Sequence, residues 1–238
     1  MKKAFTLAEV LITLGIVGVI AAMTLPSLIT NYKVKVLEAR FKKTDAVLQQ
    51  ALLKTANEVG YGSFSNLSTP SSEDELDRML PEINKAWENQ FVGATRISGA
   101  NNYLFHRGVR QHDIFGTALS SSAQGYFPKL NDDRIILTKD GTSFSYFAVS
   151  DTHNVKRLRL ILDTNGPFKG PNRWGHDIFS YNSYWFGANM LCDPSITNSN
   201  NQDGCFYYAH RGVNPSGNSN SYWDILYKPL SYWQKTDK

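Results

Sequence analysis

Apolar residues follow three patterns along the chain, and the first two predict one long helix. Residues 5–25 read FTLAEVLITLGIVGVIAAMTL, an apolar run whose single charged residue is Glu9. As a helix this run is about 31 Å long, enough to cross the hydrocarbon core of a membrane. Beyond it, apolar and small side chains recur at steps of three and four, which predicts an amphipathic continuation to about residue 59. This second stripe consists of Leu37, Phe41, Thr44, Leu48, Ala51, Leu52, Thr55 and Val59.

The third pattern is alternation, and it predicts strands between residues 134 and 162. RIILT and TSFSYFAV flank a Lys-Asp-Gly turn at 139–141, which is a hairpin signature, and VKRLRLIL follows. Strands joined in this way predict an antiparallel meander with its apolar side toward the helix.

Two further segments give weaker signals. Ser72 and Glu75 have capping-box spacing, which predicts a short helix that Pro81 ends or kinks, followed by one or two more turns through Trp87. Residues 63–70 are typical of a loop. Residues 93–133 carry no pattern that places an element.

Composition and motifs exclude several classes of function. The net charge is +4, from 25 basic against 21 acidic residues, which is too small to indicate nucleic-acid binding. Five histidines show no metal-ligand spacing, and no catalytic or nucleotide-binding motif occurs, so we expect no enzyme activity. Of the 30 Phe, Tyr and Trp residues, 23 lie at or beyond Tyr103. We expect most of them to pack a folded head, with a partner-binding surface as the alternative.

Glu9 is the unusual residue of the apolar run. A carboxylate inside a membrane-inserting segment costs about 2–3 kcal/mol. A signal peptide cleaved near Ala22 or a plain membrane anchor gains nothing from that cost, unless Glu9 lies shallow and reaches the headgroups. The remaining interpretation is that Glu9 serves a cationic partner.

The start of the chain combines Lys2, Lys3 and the small residue Ala4 with Phe5, then Glu9 four positions later and Pro26 near the end of the apolar run. This pattern resembles the N-terminus of the type IV pilin superfamily, which includes pilins, minor pilins and the pseudopilins of type II secretion. The resemblance covers about the first 26 residues. Alanine stands at position 4, where the family usually has glycine.

The resemblance implies processing and assembly. A prepilin peptidase would cleave between Ala4 and Phe5 and methylate Phe5, and the new ammonium would pair with Glu9 of a neighbouring subunit. Removing one partner of such a desolvated pair costs about 3–5 kcal/mol, so the pair would set the register between subunits. Further assembly residues are those that allow close packing or local bending of the helix, namely Gly15, Gly18 and Pro26.

The implied fold is α+β, with the long helix packed on an antiparallel β-sheet head. Residues 1–4 would be the leader, 5–25 the transmembrane helix, 26–60 its amphipathic continuation and 61–238 an extracytoplasmic head. The expected function is a structural subunit of a type IV pilus or a type II secretion filament, and the length of the head favours a minor subunit. The expected partners are other pilin or pseudopilin subunits, the prepilin peptidase, the inner-membrane assembly platform and membrane lipid.

Topology is the point on which the charges conflict. The leader lysines indicate a cytoplasmic N-terminus in the inner membrane, whereas five basic residues between 33 and 43 favour the reverse. We place the head in the periplasm or on an extracellular filament, because the implied peptidase faces the cytoplasm.

Cys192 and Cys205 are the two cysteines of the chain. In an oxidising compartment we expect them to pair, and a disulfide-closed C-terminal loop is usual in pilin-like heads. A loop of this size contributes about 3 kcal/mol in the chain-entropy model.

Residues 163–177, DTNGPFKGPNRWGHD, place oxygen-bearing side chains among glycines. The first interpretation is Asx-turn hydrogen bonding that fastens the loop after a strand. The second is a calcium site with Asp163, Asn165 and Asp177 as ligands, since calcium prefers such oxygens.

Overall fold

The structure is a computed structural model that describes residues 6–63, 73–97, 135–150, 156–182, 192 and 205–233. The predicted processing residues Ala4 and Phe5, and most of the predicted loop at 63–70, lie outside this part of the chain. Residues 1–36 and residues 37–238 form two compact units.

Helix α1 spans Leu7–Glu58, close to the helix that the sequence predicts. In the first compact unit, no side chain between residues 6 and 36 is buried. By length and composition this apolar stretch is sufficient to cross a membrane. The helix is unbroken at Pro26, so the chain by itself shows no local unwinding at this residue.

From residue 37 onward α1 buries the predicted stripe. Seven of its eight members are buried, and Val59 lies just beyond the helix end at intermediate exposure. Asp45 and Ala56 are buried with them, and the apolar pattern did not predict the carboxylate. The basic residues of this region, Lys35, Arg40, Lys42, Lys43 and Lys54, are exposed as their off-stripe positions require.

Helix α2 spans Glu73–Asn89 and passes through Pro81. The predicted further turns through Trp87 are therefore present, and of the two predicted effects of Pro81, an end or a kink, the end is wrong. Pro81 deprives the Asp77 carbonyl of its helical donor, but both residues lie on the exposed side, where water can replace the lost bond. Ile83 and Trp87 are 1% exposed, and their burial holds the helix together beyond the proline.

Within the described residues, five strands form one antiparallel sheet in the order β1 to β5. The strands β2, β3 and β4 are the predicted meander. The sequence did not predict β1 and β5, which are short and form the two edges. Their bounds are β1 Thr95–Ile97, β2 Ile135–Leu137, β3 Ser143–Ser150, β4 Lys156–Asp163 and β5 Ile178–Asn182.

One face of the sheet packs on the two long helices. Phe144, Leu162 and Phe179 are cross-strand neighbours and are buried on this face. The Phe41 ring of α1 lies 4.6 Å from that of Phe179, and the Trp87 ring of α2 lies 6.3 Å from that of Phe144. The apolar side of the meander therefore faces the helices, as predicted.

The opposite face is also buried, which the alternating pattern did not predict. Ser143 and Ser145 are 4% and 3% exposed, and Ile161 forms a cluster with Trp174 and Ile178. The loop between β4 and β5 therefore contributes a second small core.

The C-terminal part adds helix α3, Cys205–Arg211, helix α4, Tyr222–Ile225, and a 3₁₀ turn at Leu230–Tyr232. Phe206 and Trp223 lie with their rings 5.4 Å from the Phe41 ring, so these short helices close the same core. Among the described aromatic residues of the last third, most are buried or half-buried, as expected. Tyr227 and Tyr232 are about two-fifths exposed.

Candidate functional site

The start of α1 is a complete capping box. The Thr6 N–H and hydroxyl both donate to Glu9 Oε2, at 2.8 and 2.9 Å, and the Glu9 N–H donates to Thr6 Oγ1 at 3.2 Å. Each residue thereby satisfies a donor that has no partner inside the helix. Glu9 has no cationic partner among the described residues of its own chain.

The polar side chains within the apolar stretch are satisfied by the helix itself. The hydroxyls of Thr13, Thr24 and Thr30 donate to backbone carbonyls three or four residues earlier in α1. These internal bonds suit an environment without water, where an unpaired donor is costly. Glu9 is the only charged residue between residues 6 and 32.

The predicted packing glycines lie in open surroundings. A Cβ atom added at Gly15 or Gly18 would meet nothing within 4 Å. The described residues of the chain therefore make no contact that requires glycine at these positions. The predicted role of Gly15 and Gly18 in close packing concerns contacts with other helices.

The predicted disulfide is present, because Cys192 and Cys205 are joined at an S–S distance of 2.03 Å. Cys205 is the first residue of α3, and both cysteines are buried. The bond ties Cys192 to the first residue of α3.

The loop between β4 and β5 brings together the three predicted residues Asp163, Asn165 and Asp177. Asp163 Oδ1 accepts from the N–H groups of Asn165 and Gly166, at 3.1 and 2.8 Å, so the predicted Asx turn is present. Asp177 accepts from the N–H groups of Asn172 and Arg173, at 2.9 and 2.6 Å. The two carboxylates thus fasten opposite ends of the loop.

Both carboxylates are buried and close enough to repel each other. Burial raises the pKa of Asp163 well above its ordinary value, and repulsion from Asp177 raises it further. Burial also raises the pKa of Asp177, against the N–H bonds that it accepts. Neither carboxylate has an ion pair within the described part of the chain.

Asn172 belongs to this loop as well, although the sequence did not predict it as a ligand. It has a left-handed φ of 51° and is 8% exposed. Its side-chain N–H donates to the Pro167 carbonyl at 3.0 Å. No group of three or more His, Cys, Asp or Glu residues capable of holding a metal occurs among the described residues.

A second polar contact that the sequence did not predict joins α1 to α3. His210 Nδ1 and Asp45 Oδ2 are 2.6 Å apart. Burial, together with the nearby Asp45 charge, raises the pKa of Tyr181 to about 12. The apolar pattern did not predict the burial of Asp45, because this residue is charged.

Comparisons of this chain with protein-family models, with curated proteins and with solved structures give no match.

Proposed function

We propose that this protein is a structural subunit of a pilin-like filament, either a type IV pilus or a type II secretion pseudopilus. The observation that carries the proposal is the first half of α1. Its apolar surface is uncovered, and it carries one carboxylate that lacks a cationic partner among the described residues. A filament supplies both missing components, namely apolar helices from other subunits and a neighbouring N-terminal ammonium.

The ammonium arises from processing. Cleavage after Ala4 creates a positive charge at Phe5, and methylation leaves that charge in place. In an apolar helix bundle this group requires a counter-charge, which Glu9 of the next subunit would supply. Because a desolvated charge without its partner costs about 3–5 kcal/mol, only one axial register between subunits satisfies both groups.

The second half of α1 supports the same proposal. It buries one stripe against the sheet and leaves basic residues exposed. A long helix that is apolar on all sides and then amphipathic connects a membrane or filament core to a folded head. The head has a disulfide, which suits a location in the periplasm or on an extracellular filament. The role proposed here is structural and contains no catalytic step.

The implied partners follow from this route. The prepilin peptidase acts first, the subunit then waits in the inner membrane among lipids, and the assembly platform adds it to the other pilin or pseudopilin subunits.

The proposal is tested by the N-terminal residue of the mature protein. Protein purified from the cell envelope and from sheared filaments is analysed by N-terminal sequencing and intact mass. The proposal predicts a chain that begins at N-methylated Phe5. A start near Ala22 indicates a secreted binding protein with a cleaved signal peptide, and an intact Met1 start also contradicts the proposal.

The second alternative is a membrane-anchored adhesin that never polymerises. An anchor requires only apolar length, so Glu9→Val should leave its amount and surface exposure unchanged. A filament subunit with the same substitution should remain in the membrane and be absent from sheared material. Thr13→Val, which changes another polar residue of the segment without touching the charge, is the matched control.

A further inference from the structure

The loop between β4 and β5 holds an excess of buried hydrogen-bond acceptors. Asp163, Thr164, Asn165 and Asn172 are all less than 9% exposed. Each has a side-chain oxygen without a hydrogen-bond partner, and these are Asp163 Oδ2, Thr164 Oγ1, Asn165 Oδ1 and Asn172 Oδ1. A buried polar atom left unpaired costs about 1–3 kcal/mol, so four in one loop indicate a missing partner.

The orientation of both amides is fixed by their own donors. Asn165 Nδ2 donates to the Gly170 carbonyl at 3.2 Å, and Asn172 Nδ2 donates to the Pro167 carbonyl at 3.0 Å. Rotating either amide would break a bond and bury an unpaired N–H group. The unpaired atoms of the two asparagines are therefore carbonyl oxygens.

These residues gather around one carboxylate. Asn172 donates its backbone N–H to Asp177, and the Asn165 side chain also hydrogen-bonds to Asp177. Asp163 lies close enough to Asp177 for their charges to interact. The Thr164 N–H donates to the Asp177 backbone carbonyl at 2.8 Å. The unpaired oxygens thus belong to one loop that contains two buried acidic side chains.

Water would satisfy the acceptors but would supply no counter-charge for Asp163 and Asp177 when both are ionised. A hard divalent cation satisfies both needs, because carboxylate and amide oxygens are its preferred ligands. Calcium accepts an irregular set of six to eight oxygens, whereas magnesium demands octahedral geometry and retains several waters. A buried loop with neutral amide oxygens therefore favours calcium.

We propose that the loop 163–177 binds Ca²⁺ through Asp163 Oδ2, Asn165 Oδ1 and Asn172 Oδ1, with Asp177 as the second balancing charge. This set differs from the one that the sequence predicts, because both Asp177 oxygens already accept backbone N–H groups while Asn172 has a carbonyl oxygen to spare. The site does not depend on filament assembly. Its bound ion would tie the end of β4 to the Asn172 side of the loop.

The binding is tested on the full chain in detergent, after removal of metal with EGTA. Tb³⁺, added as a calcium analogue, is excited through tryptophan, since Trp174 is buried within the loop. The proposal predicts a saturable emission that Ca²⁺ displaces and Mg²⁺ displaces poorly. It also predicts an unfolding temperature that rises with the logarithm of free Ca²⁺. No emission and no calcium-dependent shift in a folded protein would overturn it.

Two variants separate a cation site from a loop held by hydrogen bonds alone. Asp163→Asn keeps the Oδ1 acceptor of the Asx turn, removes one charge and supplies an N–H donor. We expect it to remain at least as stable as the wild type in EGTA and to weaken Ca²⁺ binding by at least about tenfold. An unchanged calcium response would contradict the proposal.

Asn165→Asp adds a third carboxylate and keeps an oxygen at the ligand position. It should lower the unfolding temperature in EGTA and increase the rise that calcium produces. The matched control is Asn218→Asp, which adds the same charge at an exposed residue. If both substitutions change the calcium response equally, the effect is one of overall charge and the site is refuted. Direct calorimetric titration of the wild type with Ca²⁺ decides the matter if Asp163→Asn does not fold.

Discussion

Thr6 and Glu9 hold each other at the first turn of α1, with Glu9 Oε2 accepting both the N–H and the hydroxyl of Thr6 at 2.8 and 2.9 Å. The carboxylate therefore has a local role in starting the helix. In the proposed filament it has a second role, as the counter-charge for the Phe5 ammonium of a neighbour. The two roles are separable by substitution.

The local role predicts that Thr6→Ala loosens the first turn. Loss of an N-cap side chain costs about 1 kcal/mol, so amide exchange of residues 7–9 should accelerate roughly fivefold in the detergent-solubilised protein. Thr13→Ala is the control, because the Thr13 hydroxyl only bonds back to carbonyls of its own helix. Equal exchange in the two variants would show that Thr6 does not cap α1.

Phe41 is predicted to be the most costly residue of α1 to truncate. It is 1% exposed, and its ring meets those of Phe179, Phe206 and Trp223. Phe41→Ala should lower the free energy of unfolding of the head by about 3–5 kcal/mol, measured by denaturant titration with near-UV circular dichroism. Phe168 is 49% exposed, so Phe168→Ala should cost far less. Similar losses for both would mean that α1 does not pack on the sheet as described.

Gly166 is predicted to tolerate no side chain. Its φ is +80°, and a Cβ atom would lie 2.1 Å from the Gly141 carbonyl oxygen. Gly212 also has a positive φ, of +66°, but open space around it. Gly212→Ala should therefore cost only the backbone term of about 1–2 kcal/mol, and Gly166→Ala should cost clearly more in the same denaturation assay. Equal costs would argue against the close approach of the two backbones.

Asp140 is predicted to make the head sensitive to acid. Burial raises the pKa of Asp140, but hydrogen bonds from Lys43, Thr138 and Thr142 outweigh it and hold the pKa below its ordinary value. A lowered pKa in the folded state stabilises the fold above the unfolded value of about 3.9, and this contribution is lost as the pH falls further.

Asp140→Asn should therefore reduce the unfolding temperature at pH 6, and the difference from the wild type should shrink below about pH 4. Melting curves of both proteins between pH 6 and pH 3 measure it. A difference that stays constant with pH would show that the charge of Asp140 contributes nothing.

The sequence predicted those elements in which apolar residues recur with a strong helix or strand period. The stripe of α1 and the strands β2 to β4 are of this kind, because their apolar positions alone determine the buried face. It did not predict β5, and at Pro81 it left open whether the helix ends or is only kinked before its last turns. In both cases tertiary packing outweighs a weak or opposing local signal. Phe179 of β5 packs on Phe41, and Trp87 of α2 packs on Phe144.

The candidate sites divide in the same way. The disulfide joins the only two cysteines of the sequence, and Glu9 is conspicuous as the single charge of the apolar run. The hydrogen bonds between Thr6 and Glu9 were not predicted. The pair of Asp45 and His210 spans 165 positions, so no local pattern brings the two together. Asn172 becomes a candidate ligand only when the bond from its side-chain Nδ2 to the Pro167 carbonyl shows that its Oδ1 remains without a partner.

The central claim is that Glu9 acts between subunits as a charge, and Glu9→Gln tests it most directly. Glutamine keeps an oxygen that can accept from Thr6, so the cap persists while the charge is lost. The variant should still be inserted and processed to Phe5. Because the neighbouring ammonium would lack a partner worth about 3–5 kcal/mol, its amount in sheared filaments should fall at least a hundredfold. Filaments of Glu9→Gln in wild-type amounts would contradict the claim.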